Sequence, residues 1–330
     1  LVAYEAAPGF DPALTVAPAG VLPLLWFGLY QAPEHVSDPF ESVEIPRPGA
    51  QWDSTVTTLE YERAFRRVKA GIREGEVYQV NLTYRVRRFL DVEDSWRCFA
   101  ALAAAQQPVF GAYIATREWS VGSASPELFF ELQGERIESR PMKGTAPRGL
   151  TLAQDRANVS DLRNSDKERA ENLMIVDMVR NDLGRIAVPG SVDVPELFTA
   201  EKYPAMWQLT STVTAATKAS VTEVFAALFP AASVTGAPKS SAMRIIAEVE
   251  KTPRGIYTGA VGFIAPGRRA RFNVAIRTMV FDHRGGMAEY GVGGGIVWDS
   301  VCAREQEECR VKACVTGQYP SGFALLESML

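Results

Sequence analysis

Residues 125–130 read SPELFF, residues 141–149 read PMKGTAPRG and residues 168–185 read ERAENLMIVDMVRNDLGR, three neighbouring stretches whose polar residues sit poorly on a solvated surface. SPELFF sets Glu127 beside an apolar run, at the end of a strand predicted to begin near Gly122. PMKGTAPRG holds Lys143 between Pro141 and Gly144, which predicts a turn too short and stiff to let the lysine's attachment point wander. The third stretch predicts a helix from Asp166 to Val179, with Glu171, Ile175 and Met178 on one face by i, i+4, i+7 spacing. A carboxylate that shares a face with apolar residues is either a helix-edge group or a buried ligand, and Glu171 taken alone leaves both readings open.

The surrounding chain has 330 residues, of which 47% are hydrophobic, so it can bury a large core. Length by itself suggests two domains. The motifs, however, run from residue 76 to residue 308, so one domain over residues 1–330 is expected, with residues 1–50 integrated into the same body. Lys and Arg number 35 against 39 Asp and Glu, and no basic block is long enough to follow a phosphate backbone, which argues against a nucleic-acid partner. The longest apolar candidate for a membrane span, Val16 to Leu29, is interrupted by Pro18 and Pro23. Cys98, Cys302, Cys309 and Cys314 form no CxxC pair, and His35 and His283 are the only histidines. Free thiols in a reducing cytoplasm are therefore expected rather than a zinc site. The opening at Leu1, without methionine or a signal-like segment, reads as a trimmed start.

In chain order, VLPLLWFGLY (21–30) predicts a buried strand or strand pair, and Pro39, Pro46 and Pro48 mark an irregular link. A helix is expected from Thr58 to Glu74, stopped by Gly75, followed by a strand from Gln79 to Val86 whose Gln79, Asn81 and Thr83 give it one polar side. Further helices are expected over 95–106, over 219–229, from Pro238 onward and from Ala303 to Ala313, the last carrying Glu305, Glu308 and Lys312. Strands are expected near 109–116 and 120–130, and as an antiparallel series through RGIYTGAVGFI, FNVAIRTMVF and MAEYGVGGGIV. GVGGGIV lacks the strand, turn and helix order of a dinucleotide fingerprint, and GAPKS lacks the loop of a phosphate-binding lysine motif. Glycines 291 and 293–295 instead permit close backbone approach, to packed neighbours or to an anion.

Together these segments resemble the chorismate-utilising enzymes, the group that contains anthranilate synthase component I, isochorismate synthase, salicylate synthase and aminodeoxychorismate synthase component I. The resemblance covers residues 55–320 and rests on GEVYQVNLT, SPELFF, PMKGTAPRG, ENLMIVDMVRNDLGR, WQLTSTV, FPAASVTGAPK, GIYTGAVGF, FNVAIRT and GGGIVWDS. It implies an α+β fold, two antiparallel sheets stacked across one another with helices outside. It also implies that Glu171 and Glu308 hold a Mg²⁺ that grips the ring carboxylate of chorismate, and that Glu127 protonates the departing C4 hydroxyl. Ser233, Tyr257, Arg277 and Gly293 fall where relatives hold the substrate carboxylates, with Arg277 the natural charge partner, and Gln79 and Gln208 are expected to contact the substrate as well.

Three positions separate the branches. Water-adding relatives carry a basic lysine where this chain has Gln79, and an amide cannot take a proton from water. Anthranilate-forming relatives usually have alanine where this chain has Lys143, and a histidine where it has Gln208. The resemblance therefore points toward amination at C4 with Lys143 as the attacking amine, and away from its alternatives: anthranilate or aminodeoxyisochorismate formation, or an inactive chorismate-binding scaffold. Ammonia is expected from a separate glutamine amidotransferase subunit, since no cysteine is arranged with histidine for glutamine hydrolysis, and a lyase is expected to act on the product to release 4-aminobenzoate for folate synthesis.

Overall fold

In the computed structural model the described residues are 1–36, 52–90, 94–204 and 206–314. The link predicted at Pro39, Pro46 and Pro48 lies outside them. One sheet runs in the order β1 (Asp53–Ser54), β2 (Gln79–Phe89), β14 (Met287–Ile296), β13 (Thr278–Asp282), β4 (Trp119–Ser125), β3 (Phe110–Ala115), with β10 (Gly236–Ala237) also on β2. The other runs β11 (Ala260–Ala265), β12 (Arg269–Val274), β5 (Leu128–Gln133), β6 (Arg136–Arg140), β9 (Met206–Ala216), β7 (Met142–Pro147), with β8 (Asp193–Lys202) also on β9. Every pairing between these strands is antiparallel.

The helices are α1 (Ala7–Phe10), α2 (Thr58–Arg73), α3 (Ser95–Gln106), α4 (Leu152–Asn164), α5 (Asp166–Gly184), α6 (Val221–Leu228), α7 (Lys239–Val249) and α8 (Cys302–Cys314). The α2 start follows from local chemistry: Thr57 accepts from the Glu60 N–H while the Glu60 carboxylate accepts from the Thr57 N–H, a reciprocal cap. Its apolar residues Tyr61, Phe65 and Val68 then fall on one face and pack with Val80, Leu82, Tyr84 and Val86, the apolar side of β2. Helices α5 and α6 bury Ile175, Val179, Val224 and Phe225 against Phe129, Phe130 and Leu132 of β5. Each sheet thus has its own helical cover, as the α+β expectation required.

Two expectations change. VLPLLWFGLY is not buried: Val21, Phe27, Leu29 and Tyr30 are exposed, and Leu25 makes an isolated bridge to Val2. Its Pro23 removes a ladder donor, and an apolar composition there does not yield a paired strand. The strand expected over 120–130 is two strands in different sheets, because Pro126 has no N–H to give and the chain changes sheet across Pro126 and Glu127.

The polar side of β2 is tied into a buried ion cluster. Glu250, at the end of α7, accepts from the Thr83 N–H and hydroxyl and from Arg254 through both Nε and Nη2, and lies 3.6 Å from Arg85. Arg254 also donates to the carbonyls of Asn81 and Val234, while Glu5 accepts from the backbone N–H groups of Arg254 and Gly255. One carboxylate therefore joins β2, α7 and the segment before β11. Glu250→Gln would leave Arg85 and Arg254, both almost fully buried, short of a counter-charge. Its expected cost is about 3–5 kcal/mol, measured by urea denaturation.

Candidate active site

The site forms where two chain segments leave one sheet and enter the other side by side. After β4, Ser125 donates to the Val274 carbonyl at 2.6 Å and accepts from the Glu127 N–H at 3.2 Å. After β12, Ala275 donates to Gly259, while the carbonyl of Arg277, held at a φ of 50°, accepts from Ala124. Glu127 is thereby fixed by backbone bonds at a sheet junction and is 4% exposed. Burial raises its pKa to about 7, although the Ser233 hydroxyl, the Lys143 ammonium and the Met142 N–H each favour the charged form. The Ser233 oxygen is itself buried and makes no hydrogen bond of ordinary geometry.

Lys143 lies in a strand, not in the turn predicted for it. In the β7 pairing Met142 faces Thr210 and Thr145 faces Gln208, so Lys143 and Gly144 form a bulge, with Gly144 at a φ of +94°. A bulge beside a site re-aims a side chain that a regular ladder would point elsewhere. Desolvation lowers the Lys143 pKa; Lys312 lowers it further, while Glu171, Glu127 and Glu308 act in the opposite direction. An ideal Cβ on Gly295 would lie 2.6 Å from Gln79 Nε2 and 3.0 Å from Lys143 Nζ, so this glycine of β14 leaves the space in which those two side chains meet. Gln79 is fully buried, and both ends of its carboxamide lack a partner.

Carboxylates approach the lysine from two helices. On α5, burial raises the pKa of Glu171 and of Glu168; Glu308 adds to both, and Glu168 adds to that of Glu171. On α8, burial raises Glu305, and Glu308 adds to it. For Glu308 burial also pushes upward, but Lys312, ion-paired at 2.7 Å, with Lys143 and Lys167, outweighs it and leaves a lowered pKa. Lys167 lies 3.8 Å from Glu171, and Lys312 also donates to the Gly293 carbonyl at 2.9 Å. Gly294 leaves room for Glu305 and Glu308 just as Gly295 does for Lys143.

The structure thus brings together Glu127, Lys143, Glu171, Glu308, Ser233 and Gln79. Tyr257 packs flat against Gly291 with the Arg85 guanidinium over its ring, and Gly293 packs on Thr83. Arg277 donates to Gln106 and to Met206 Sδ. Gln208 donates to the Gly144 carbonyl and accepts from Thr145. Glu168, Glu305, Lys312 and Asn172 belong to this neighbourhood, and the sequence reading gave them no role. The repeated Glu-x-x-Glu spacing of 168/171 and 305/308 was the available signal. Among the described residues no three acidic, cysteine or histidine side chains converge on one point. The donor set is all carboxylate oxygen and mutually repelling, which fits a hard divalent cation completed by ligand oxygens and water.

A family model described as chorismate binding enzyme matches residues 2–316. Aminodeoxychorismate synthase component 1 of Salmonella typhimurium is 42% identical over 259 residues, covering 78% of this chain and 56% of that protein. Anthranilate synthase component 1 of Saccharolobus solfataricus is 38% identical over 269 residues, covering 80% of this chain and 63% of that protein. The chain therefore spans little more than half the length of such relatives. The crystal structure of anthranilate synthase component I from Streptococcus pneumoniae superposes with a TM-score of 0.75 at 27% identity, covering 85% of this chain and 62% of that one. No helix among the described residues is long and apolar enough to cross a membrane.

An acid in the position of Glu127 works only while protonated, so turnover should fall as pH rises through about 7. Ser233→Ala removes a group that favours the carboxylate, which raises the Glu127 pKa further and should move the alkaline limb of the kcat/KM profile to higher pH. An unmoved limb would detach Ser233 from Glu127.

Proposed function

The chain belongs to the chorismate-binding enzymes, and from that footing we propose that it aminates chorismate at C4 with ammonia, giving 4-amino-4-deoxychorismate through a covalent bond to Lys143. The observation that carries this reading is the pairing of a lysine whose pKa is lowered by burial with a glutamic acid held near 7 in the same cleft. The neutral amine of Lys143 attacks C2 as the C4 hydroxyl departs with the Glu127 proton as water. Ammonia then attacks C4, the bond from C2 to the lysine nitrogen breaks, and Glu127 takes back a proton from the new ammonium group. Chorismate and ammonia become aminodeoxychorismate and water, and both side chains return to their starting states. The partnerless Gln79 carboxamide offers a hydrogen bond to bound chorismate but no basic nitrogen, which disfavours water addition.

Glu171 and Glu308, backed by Glu168 and Glu305, would hold Mg²⁺. Bound there, the ion would steady the ring carboxylate and draw electron density toward it. Lys312 would then turn from Glu308 toward the anionic substrate. The described thiols Cys98, Cys302 and Cys309 all have pKa values raised by burial, the reverse of an activated glutaminase nucleophile. That supports ammonia supply by a separate amidotransferase subunit. The product would pass to a lyase on the way to 4-aminobenzoate and folate in the cytoplasm.

Two outcomes are expected. Wild-type protein mixed with chorismate and Mg²⁺ without ammonium should gain the mass of chorismate less water on the peptide containing Lys143, and lose it when ammonium is added. Absence of that mass under rapid quenching, together with near-normal turnover of Lys143→Arg, would remove the covalent route, since a guanidinium stays protonated. Glu171→Gln or Glu308→Gln should end Mg²⁺-dependent turnover and weaken calorimetric Mg²⁺ binding by more than the roughly 10–100-fold typical of losing an outer partner.

A further inference from the structure

We propose that Asn172 and Gln208 are positioning residues for Lys143, two carboxamides that replace the ladder bonds forfeited at its bulge. Lys143 and Gly144 are the unmatched residues between the Met142 and Thr145 pairings with β9, so their carbonyls must find donor partners elsewhere. Asn172 Nδ2, from α5, donates to the Lys143 carbonyl at 3.2 Å. Gln208 Nε2, from β9, donates to the Gly144 carbonyl at 2.8 Å. The consecutive carbonyls are thus clamped by amides from two different elements.

Each amide is also held at its other end. Ser211 donates to Asn172 Oδ1 at 2.6 Å while its own oxygen accepts from the Phe198 N–H at 3.2 Å. Thr145 donates to Gln208 Oε1 at 3.1 Å. These bonds decide which end of each carboxamide faces β7. Asn172 is 1% exposed and adjoins Glu171 in sequence, so the same helix that carries the carboxylate also grips the lysine's backbone. Lys143 and Glu171 are thereby set relative to each other by one rigid link. Both ends of Gln208 are spent on the strand, whereas both ends of Gln79 are open. Gln208 therefore acts through Lys143 in place of the direct substrate contact expected from the sequence.

The effect on turnover rests on Lys143 being the nucleophile; the clamp itself does not. Asn172→Asp and Gln208→Glu keep shape and the acceptor used by Ser211 or Thr145, but turn the donor into an oxygen facing a carbonyl. With ammonium as nitrogen source, kcat should fall by roughly 100-fold, the scale of a 1 Å misplacement. KM for chorismate should stay within about twofold of wild type. Ser211→Ala, which frees the Asn172 amide and leaves the Phe198 N–H without its acceptor, should act in the same direction more weakly, and it carries the test if Asn172→Asp melts early. A second readout needs no turnover: the rate at which acetic anhydride modifies Lys143 in the native protein, relative to exposed Lys218, should change in each variant. A raised KM with kcat preserved in Gln208→Glu would make that residue a substrate contact and overturn its part. Unchanged kcat and unchanged labelling in all three variants would overturn the clamp. If wild-type protein turns over without a Lys143 adduct, the nucleophile reading falls, while the labelling rates still decide the clamp.

Discussion

The arrangement depends on a backbone constraint: a strand that contains a proline cannot continue an interior ladder. Pro126 ends β4 and sends the chain into the other sheet within two residues, and Ala275 to Arg277 repeat the crossing between β12 and β13. The crossings brace one another through Ser125, Val274 and the carbonyl of Arg277. Glu127 sits at the first crossing, so its position is set by main-chain bonds from both sheets and not by its own rotamer alone. A buried acid at a rigid junction loses hydration without being able to move toward water, and its pKa rises accordingly.

Charge in the cleft is balanced without being neutralised. Four glutamates from α5 and α8 repel one another, three lysines lie among them, and burial together with these neighbours shifts the pKa values of the glutamates and of Lys143. Burial pushes the glutamates toward neutrality and Lys143 in the same direction, and this is the protonation pattern a nucleophilic amine requires. The wall opposite is β14, where Gly291, Gly294 and Gly295 replace side chains with room for Tyr257, for the α8 carboxylates and for the meeting of Gln79 with Lys143. Glycine serves close approach here rather than turn conformation, since none of these three has a left-handed φ.

Around that cleft the rigid parts are polar as well as apolar. The Glu250 cluster fixes β2 to α7 and to the segment before β11, so the strand that carries Gln79 is anchored by charge at its middle, through Thr83 and Arg85. On the other sheet, Asn172 and Gln208 do for β7 what Glu250 does for β2, with neutral amides in place of ions. A neutral amide can satisfy a carbonyl next to Lys143 without adding charge that would alter the lysine's own protonation.

Much of this was legible in sequence because it is local. The 3.6-residue period of α2 and α5 and the alternation of Gln79, Asn81 and Thr83 each depend on near neighbours; Glu127 and Glu171 stood out by their apolar company, Lys143 by its place between Pro141 and Gly144, and Glu308 by the family resemblance alone. Where the local rule met a distant partner it failed. The apolar run 21–30 is exposed because burial needs a facing surface, and composition cannot supply one. Lys143 was read as a turn because proline and glycine mark a break, but whether a break becomes a turn or a bulge is decided by β9, more than sixty residues away. Glu305, Lys312 and Asn172 acquired their neighbourhood only when two helices far apart along the chain, α5 and α8, closed over one strand bulge. Sequence alone determined most of the elements, since propensity and periodicity act over a few residues, and the family resemblance named the candidate site residues. The tertiary structure alone decided which of those side chains share a low-dielectric space, because electrostatic and hydrogen-bond coupling depends on distance in space and not along the chain.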